Sequence, residues 1–189
     1  MQRDRLFADR TEAGIELGKR LVHEYKDRQA IVLGIPRGGV QVVFDVAKFL
    51  YGSLSVIITK KLPHPLHEEL AVGAVAEDGA IYLSSLGNAL NESTIKRIVR
   101  AQRDEIDSRI QRFRLDKPLP DMEGRIVIII DDGIATGSTI VPAIKLCKSR
   151  GPAKVTVASP VSGEKFVSDI TALADDVVIL EHPEYFSSV

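Results

Sequence analysis

Two adjacent aspartates, Asp131 and Asp132, stand out as groups that could bind a ligand. They follow five consecutive apolar residues, Ile126–Ile130, as expected for a strand that is covered on both faces. The next segment is rich in glycine and hydroxyl side chains and leads into a helical pattern. Carboxylates can bind hydroxyls or a metal, and a glycine-rich turn at a helix start presents N–H groups to an anion. This combination suits a phosphorylated sugar.

The aspartate pair and the residues after it resemble the phosphoribosyl pyrophosphate (PRPP) binding motif of the type I phosphoribosyltransferases. The matching run is Asp131-Asp132-Gly133-Ile134-Ala135-Thr136-Gly137-Ser138-Thr139. The resemblance implies that the two carboxylates contact the ribose hydroxyls and that residues 133–139, here called the anion loop, wrap the 5-phosphate. A nucleotide-binding P-loop needs Gly-x4-Gly-Lys-Ser/Thr, and the spacing of Gly133 and Gly137 does not provide it. An acidic turn that only caps the next helix is the structural alternative.

A second glycine-containing loop follows the first predicted strand and consists of Pro36, Arg37, Gly38 and Gly39. Glycine lets backbone amides approach a ligand closely, and Arg37 offers a permanent bidentate donor to an oxyanion. This Pro-Arg-Gly-Gly loop should lie at the same edge of the sheet as Asp131. The resemblance implies that it holds pyrophosphate and contains a strained or cis peptide bond between Pro36 and Arg37. A plain strand-to-helix turn is the alternative.

Lys60 and Lys61 end the next predicted strand and are expected, as a pair, to face the same rim. Cations there would favour departure of pyrophosphate, although at least one of them could simply be solvated. The proline- and histidine-containing residues 62–69 predict an irregular mobile loop, which the resemblance equates with the flexible catalytic loop of the family. His64 and His67 have a metal-like spacing, but no third ligand is evident nearby and zinc is not expected.

Strand and helix patterns alternate along the chain and predict an α/β fold, with a parallel sheet and helices on both faces. The predicted helices are 11–26, 40–50, 91–114, 138–149 and 163–174, and the predicted strands are 30–35, 54–58, 126–130, 153–159 and 176–180. Asp78-Gly79 predicts a hairpin turn, and Pro142 predicts that its helix begins at Ser138 or later, or is kinked. We expect a Rossmann-like type I phosphoribosyltransferase core with a small hood or lid region, forming one domain over residues 1–189 with a lid or hairpin insertion at about 61–84.

The composition excludes several other classes of protein. The 189 residues are 44% hydrophobic and 27% charged with a net charge of −1, which is ordinary for a globular domain and gives no support for nucleic-acid binding. The single cysteine, Cys147, excludes a disulfide framework and is predicted to be a core residue. No apolar run is long enough to cross a membrane and no signal peptide is evident. We therefore expect a cytoplasmic protein, and we further expect a homodimer.

The leading functional hypothesis is a magnesium-dependent pentosyltransferase of nucleotide metabolism. It would transfer the 5-phosphoribosyl group of PRPP to a nitrogenous base or amine and release pyrophosphate. Mg²⁺ would be held mainly through PRPP, with Asp131 and Asp132 as the protein carboxylates that could contribute. Ala135 stands where the 6-oxopurine enzymes of the family have an aspartate, which argues against hypoxanthine or guanine as the acceptor. Two alternatives remain, a PRPP-binding regulatory or sensor module without turnover and an unrelated sugar-phosphate hydrolase.

The resemblance extends beyond these motifs to the order of segments along most of the chain. The segments are Phe7-Ala8-Asp9-Arg10, the Pro-Arg-Gly-Gly loop, the stretch from Glu69 to Glu77, the arginine-rich helix predicted over 91–114 and the aspartate pair. Together they are similar to a group of predicted phosphoribosyltransferases with no assigned acceptor. Residues 64–67 and the C-terminal residues 185–189 depart from the pattern of that group.

Overall fold

The structure, a computed structural model, describes residues 6–135, 137–163, 167 and 170–183. The helices are α1 (Arg10–Tyr25), α2 (Gly38–Leu50), α3 (Ser85–Asn88), α4 (Glu92–Arg114) and α5 (Ile140–Lys148). The strands are β1 (Ile31–Gly34), β2 (Ser53–Val56), β3 (Thr59–His64), β4 (His67–Ala76), β5 (Ile81–Leu83), β6 (Ile126–Ile130), β7 (Lys154–Val161) and β8 (Asp176–Glu181). The predicted helix 163–174 includes residues 164–166, 168 and 169, which lie outside this description.

The main sheet has five parallel strands in the order β2-β1-β6-β7-β8. Alternate residues of a strand point to opposite faces, and both faces of this sheet are covered. Ile128 and Ile130 pack with α1 and α2, whereas Val127 and Ile129 pack with α5. The predicted α/β fold with helices on both faces is therefore confirmed.

A second sheet of three antiparallel strands, β3-β4-β5, lies between β2 and α3 in the sequence and forms the hood. Leu62 and Val72 of this sheet pack against α4, which supplies Ile95, Ile98 and Ile106. The turn at Asp78-Gly79 joins β4 to β5 as predicted, with Gly79 at a φ of +93°.

The prediction of an irregular loop over residues 62–69 was wrong. β3 and β4 run through it and close in a tight turn at Pro65 and Leu66, where His64 pairs with His67. Pro63 lies inside β3, which is possible because β3 is an edge strand and its register shifts on both sides of Pro63. The prolines and polar residues in this segment do not indicate a strand locally, because the formation of β3 depends on its pairing with β4.

Two smaller predictions concern α5. The helix begins at Ile140, later than Ser138, and Pro142 lies in its first turn, where a backbone N–H has no intrahelical acceptor to lose. Cys147 is fully buried in the core between α5 and the main sheet, as predicted, and burial raises the pKa of its thiol to about 12. Within the described part of the chain, no helix combines the length and apolar content needed to cross a membrane.

Candidate functional site

The site lies at the carboxyl edge of the main sheet, where β1 and β6 end side by side. β1 and β6 are parallel partners, and the backbone N–H of Ile35 donates to the carbonyl of Ile130 at 2.9 Å. The Pro-Arg-Gly-Gly loop that follows β1 therefore meets the aspartate pair that follows β6. A Cβ on Gly39 would lie 2.7 Å from the Ile130 carbonyl oxygen, so glycine allows this close approach. The two predicted loops are brought together.

The carboxylate of Asp132 is enclosed between Gly38 and Arg10. A Cβ on Gly38 would lie 1.8 Å from Asp132 Oδ2, so the carboxylate rests directly on the Gly38 backbone. Arg10 donates from Nε to the same oxygen at 2.8 Å, and its Nη2 lies 2.7 Å from it. The Asp132 side chain remains 16% exposed, and that of Arg10 remains 41% exposed. Two charge-assisted contacts on one oxygen therefore fix the orientation of this carboxylate.

Arg10 was not among the residues that we predicted for the site. The only signal was its presence in the Phe7-Ala8-Asp9-Arg10 segment, which was noted for resemblance and not for chemistry. Asp9 caps α1 and accepts from the N–H groups of Thr11 and Glu12, each at 2.9 Å, which places Arg10 as the first helical residue.

Asp131 is almost completely buried beneath Asp132. One carboxylate oxygen accepts the backbone N–H of Asp132 at 3.0 Å, and the other accepts the Thr139 hydroxyl at 3.4 Å. Burial, together with the neighbouring Asp132 charge, raises the pKa of Asp131 well above its ordinary range. The two carboxylates thus have different environments, with Asp131 held in the interior and Asp132 at the surface.

The anion loop is anchored to the end of β7. The N–H of Ile134 donates to the Val161 carbonyl at 2.9 Å, and the N–H of Gly163 donates to the Ile134 carbonyl at 3.2 Å. Gly137 has a φ of +65°, and its carbonyl accepts the N–H groups of Ile140 and Val141 at the start of α5. This positive φ favours glycine. Gly133, Ala135, Ser138 and Thr139 complete the described part of the loop, and Thr136 lies outside the described residues.

The peptide bond between Pro36 and Arg37 is cis, as predicted. The Arg37 side chain is exposed at the start of α2, one residue before Gly38. The Pro-Arg-Gly-Gly loop therefore meets the aspartate pair through the backbone of Gly38 and Gly39.

Comparison with known proteins agrees with this geometry. Residues 9–184 match the family described as the phosphoribosyl transferase domain. The chain belongs to this family. A Mycobacterium tuberculosis H37Rv protein named "Putative phosphoribosyl transferase" is 39% identical over 188 residues, which are 98% of this chain and 42% of that protein. The chain thus spans less than half the length of the curated relatives it matches.

Two solved structures share the fold. The protein TT1426 from Thermus thermophilus is 36% identical with a TM-score of 0.80, and the match covers 96% of this chain and 87% of that one. A hypoxanthine phosphoribosyltransferase from Staphylococcus aureus is 16% identical with a TM-score of 0.53, and the match covers 94% of this chain and 75% of that one. The fold is that of the type I phosphoribosyltransferases.

The structure distinguishes the two lysines of this phosphoribosyltransferase domain that the sequence left as a pair. Lys60 Nζ lies 3.3 Å from Glu105 Oε1 on α4, and Leu62, two residues along β3, is buried against the same helix. Because side chains alternate along a strand, Lys61 lies on the opposite face of β3, the face that also carries Thr59. Thr59 pairs with Ala76 of β4, and Ala76 packs with α5 in the core. Lys61, which is exposed, is therefore the lysine on the side of the helix that follows the anion loop.

The histidine pair of the domain is a cross-strand contact. The rings of His64 and His67 stack with their centroids 5.5 Å apart, and His64 Nδ1 accepts the N–H of Leu66 at 3.2 Å. Among the residues that the structure describes, no group of three or more His, Cys, Asp or Glu side chains could hold a metal ion.

Proposed function

We propose that the protein transfers the 5-phosphoribosyl group of PRPP to a nitrogenous base or amine and releases pyrophosphate. The main support for this proposal is the contact between Asp132 and Gly38. It joins the aspartate pair to the Pro-Arg-Gly-Gly loop at the edge of the sheet. Acceptors for a cis-diol then lie next to donors for phosphate groups. We also propose that the matched residues act as one domain with the hairpin 61–84 as an insertion, and that two such chains form a homodimer.

In the proposed reaction the protein acts mainly by positioning and by charge. Asp131 and Asp132 would accept hydrogen bonds from the ribose hydroxyls, and the N–H groups of the anion loop would hold the 5-phosphate. Arg37 and Lys61 would stabilise the negative charge that develops on pyrophosphate as its bond to C1 breaks. The transition state would resemble an oxocarbenium ion, and no covalent nucleophile is required.

Magnesium fits the donors that this site offers. Mg²⁺ is commonly bound by one or two carboxylates together with ligand phosphates, and Asp131 and Asp132 are two oxygen donors on consecutive residues. When bound, the ion would neutralise phosphate charge and so assist departure of pyrophosphate.

The proposed acceptor is adenine or another amine. Ala135, which precedes Thr136-Gly137, offers no side-chain polar group to a base. Recognition of an acceptor at this position would therefore rely on backbone groups or on shape, which favours adenine or another amine over a 6-oxopurine.

Calorimetric titration of PRPP with Mg²⁺ tests the proposal. Saturable binding by the wild type should be abolished in the double variant Asp131→Asn/Asp132→Asn. A matched control is Asp104→Asn/Asp107→Asn, which removes two exposed carboxylates from α4 and should leave binding unchanged. Absence of PRPP binding by the wild type would overturn the proposal.

A second assay separates an enzyme from a PRPP sensor. Pyrophosphate release is measured with a panel of bases and amines after PRPP binding has been established. Release that depends on one acceptor and is lost in Asp132→Asn supports transfer. PRPP binding without release for every acceptor would favour the regulatory alternative.

A further inference from the structure

We infer that Arg10 is a positioning residue for Asp132, which it holds on the Gly38 backbone in the orientation that a ribose diol requires. The inference rests on the proposed function and adds to it a residue from the start of the chain. Its basis is the pair of contacts that Arg10 makes to one oxygen of Asp132, at 2.8 Å from Nε and at 2.7 Å from Nη2. Both contacts use Oδ2, and among the residues that the structure describes none donates to Oδ1, whose lone pairs can accept from a ligand.

The start of α1 is built so that Arg10 reaches this position. Asp9 caps the helix, and Gln41 of α2 donates to the Thr11 hydroxyl at 3.0 Å, which ties α1 to the helix that follows the Pro-Arg-Gly-Gly loop. Further along α1, a Cβ on Gly14 would lie 2.9 Å from the Val42 carbonyl oxygen, so the two helices pack at close range. These contacts fix Arg10 relative to Gly38 and hence relative to Asp132.

Gly38 contacts the Asp132 carboxylate through its backbone alone. Glycine has no side chain that could donate to the carboxylate and fix its orientation. A guanidinium that contacts one carboxylate oxygen through two of its nitrogens supplies that constraint. The partial exposure of both side chains places this pair at the surface, where a sugar can approach. Arg10 would therefore affect ligand binding through Asp132 and not by contact with the pyrophosphate.

A double-mutant cycle tests this inference with PRPP and Mg²⁺ as the probe. The variants are Arg10→Gln, Asp132→Asn and their combination, with Arg20→Gln as a matched control on an exposed position of the same helix. We expect Arg10→Gln to weaken PRPP binding by about tenfold or more, since charge-assisted contacts are lost. In the Asp132→Asn background, the same change should have almost no further effect. Arg20→Gln should bind as the wild type does.

Ribose 5-phosphate, measured by competition with PRPP, provides a second readout. It carries the diol but no pyrophosphate, so a residue that acts through Asp132 should affect both ligands to a similar degree. Arg10→Lys keeps the charge without the forked geometry, and its affinity should lie between those of the wild type and Arg10→Gln. Circular dichroism and thermal unfolding of each variant show that the fold is retained.

The outcomes separate this inference from the proposed function. If the wild type binds PRPP and Asp132→Asn weakens binding while Arg10→Gln does not, the role of Arg10 is disproved and the proposed function stands. If the effects of Arg10→Gln and Asp132→Asn add, Arg10 acts independently of Asp132 and the positioning role is wrong. If Arg10→Gln weakens the binding of PRPP but not of ribose 5-phosphate, Arg10 acts on the pyrophosphate and the positioning role is also wrong. If the wild type binds neither ligand, the proposed function fails, and this inference fails with it.

Discussion

The carboxylate of Asp132 lies on the α-carbon of Gly38, so close that a Cβ there would be 1.8 Å from Oδ2 and 2.1 Å from Cγ. These residues belong to loops that follow two neighbouring strands and are separated by most of the chain. The contact makes the Pro-Arg-Gly-Gly loop and the aspartate pair one structural unit. Any side chain at position 38 must displace the carboxylate.

Replacement of Gly38 by alanine should therefore impair ligand binding more than folding. Asp132 would have to rotate away and give up its contacts with Arg10, and PRPP binding should weaken by about tenfold or more. Because Gly38 is the first residue of α2, alanine suits the helix, and the free energy of unfolding should change by less than about 1 kcal/mol. Calorimetry with PRPP and urea unfolding measure the two effects.

Gly39→Ala is the matched comparison for Gly38→Ala. Its Cβ would meet the backbone oxygen of Ile130 at 2.7 Å, and a backbone cannot rotate away as a side chain can. This variant should lose about 1–3 kcal/mol of stability, as overpacked sites do. Unchanged PRPP binding in a folded Gly38→Ala protein would show that the position of Asp132 is unimportant for the ligand.

Lys61 and Lys60 should differ in their effect on PRPP binding. Lys61→Gln removes a cation from the face of β3 that lies on the α5 side of the hood. Lys60 lies on the other face and is already paired with Glu105. An exposed cation near a multiply charged ligand contributes about 1 kcal/mol, so Lys61→Gln should weaken binding about fivefold. Lys60→Gln should have little effect. Equal losses in the two variants, measured at the same ionic strength, would contradict this assignment.

The parts of the fold that the sequence predicted well are those determined by local patterns. The strand Ile126–Ile130 was predicted with its observed bounds, because five apolar residues followed by two aspartates allow few alternatives. The Asp78-Gly79 hairpin was predicted for a similar reason, since its turn depends on local backbone preferences. The positions of these elements could therefore be inferred without knowledge of the tertiary structure.

The parts that were missed depend on contacts between distant residues. The strand character of residues 62–69 arises from the pairing of β3 with β4, which overrides a local pattern of prolines. Arg10 meets Asp132 across 122 positions of sequence, and nothing in its neighbours indicates that partner. The two lysines could be separated only after the register of β3 was known.

The buried carboxyl of Asp131 should make the ligand-free protein less stable as the pH rises. Its pKa is raised in the folded state by burial and by the Asp132 charge, so the folded protein binds this proton more strongly than the unfolded chain does. The contribution of this proton to the free energy of unfolding is fully present below the ordinary carboxyl pKa of about 4. It is lost as the pH rises through the raised pKa of Asp131 in the folded state. The asparagine amide of Asp131→Asn does not titrate, so this variant should lack the part of the pH dependence of stability that arises from Asp131.

Urea unfolding of the wild type and Asp131→Asn at pH 5 and pH 8, with chelator present, measures this difference. The stability of Asp131→Asn relative to the wild type should increase between the two pH values by about 1 kcal/mol or more, because one unit of pKa corresponds to about 1.4 kcal/mol. Asp104→Asn, which changes an exposed carboxylate on α4, should show no comparable increase. A constant difference between Asp131→Asn and the wild type would rule out a buried proton at this site.

The ion pair of Glu77 and Arg114 should be the most sensitive point of the junction between the hood and the main sheet. Its side chains are only 8% and 6% exposed, and the guanidinium contacts both carboxylate oxygens. Arg114 also donates to the Val56 carbonyl at 3.2 Å, while Glu77 accepts the N–H of Ile58 at 3.0 Å. The pair therefore links the turn after β4 and the end of α4 to the segment after β2.

Removal of one partner leaves the other charge buried, so Glu77→Gln and Arg114→Met should each cost about 3–5 kcal/mol of unfolding free energy. The double variant should cost clearly less than the sum, because it leaves neither charge unpaired. Lys96→Met, which breaks the exposed Lys96–Glu92 pair on α4, should cause little change. Additive losses in denaturant unfolding would mean that the two side chains stabilise the junction independently, and small losses would mean that water replaces the missing partner.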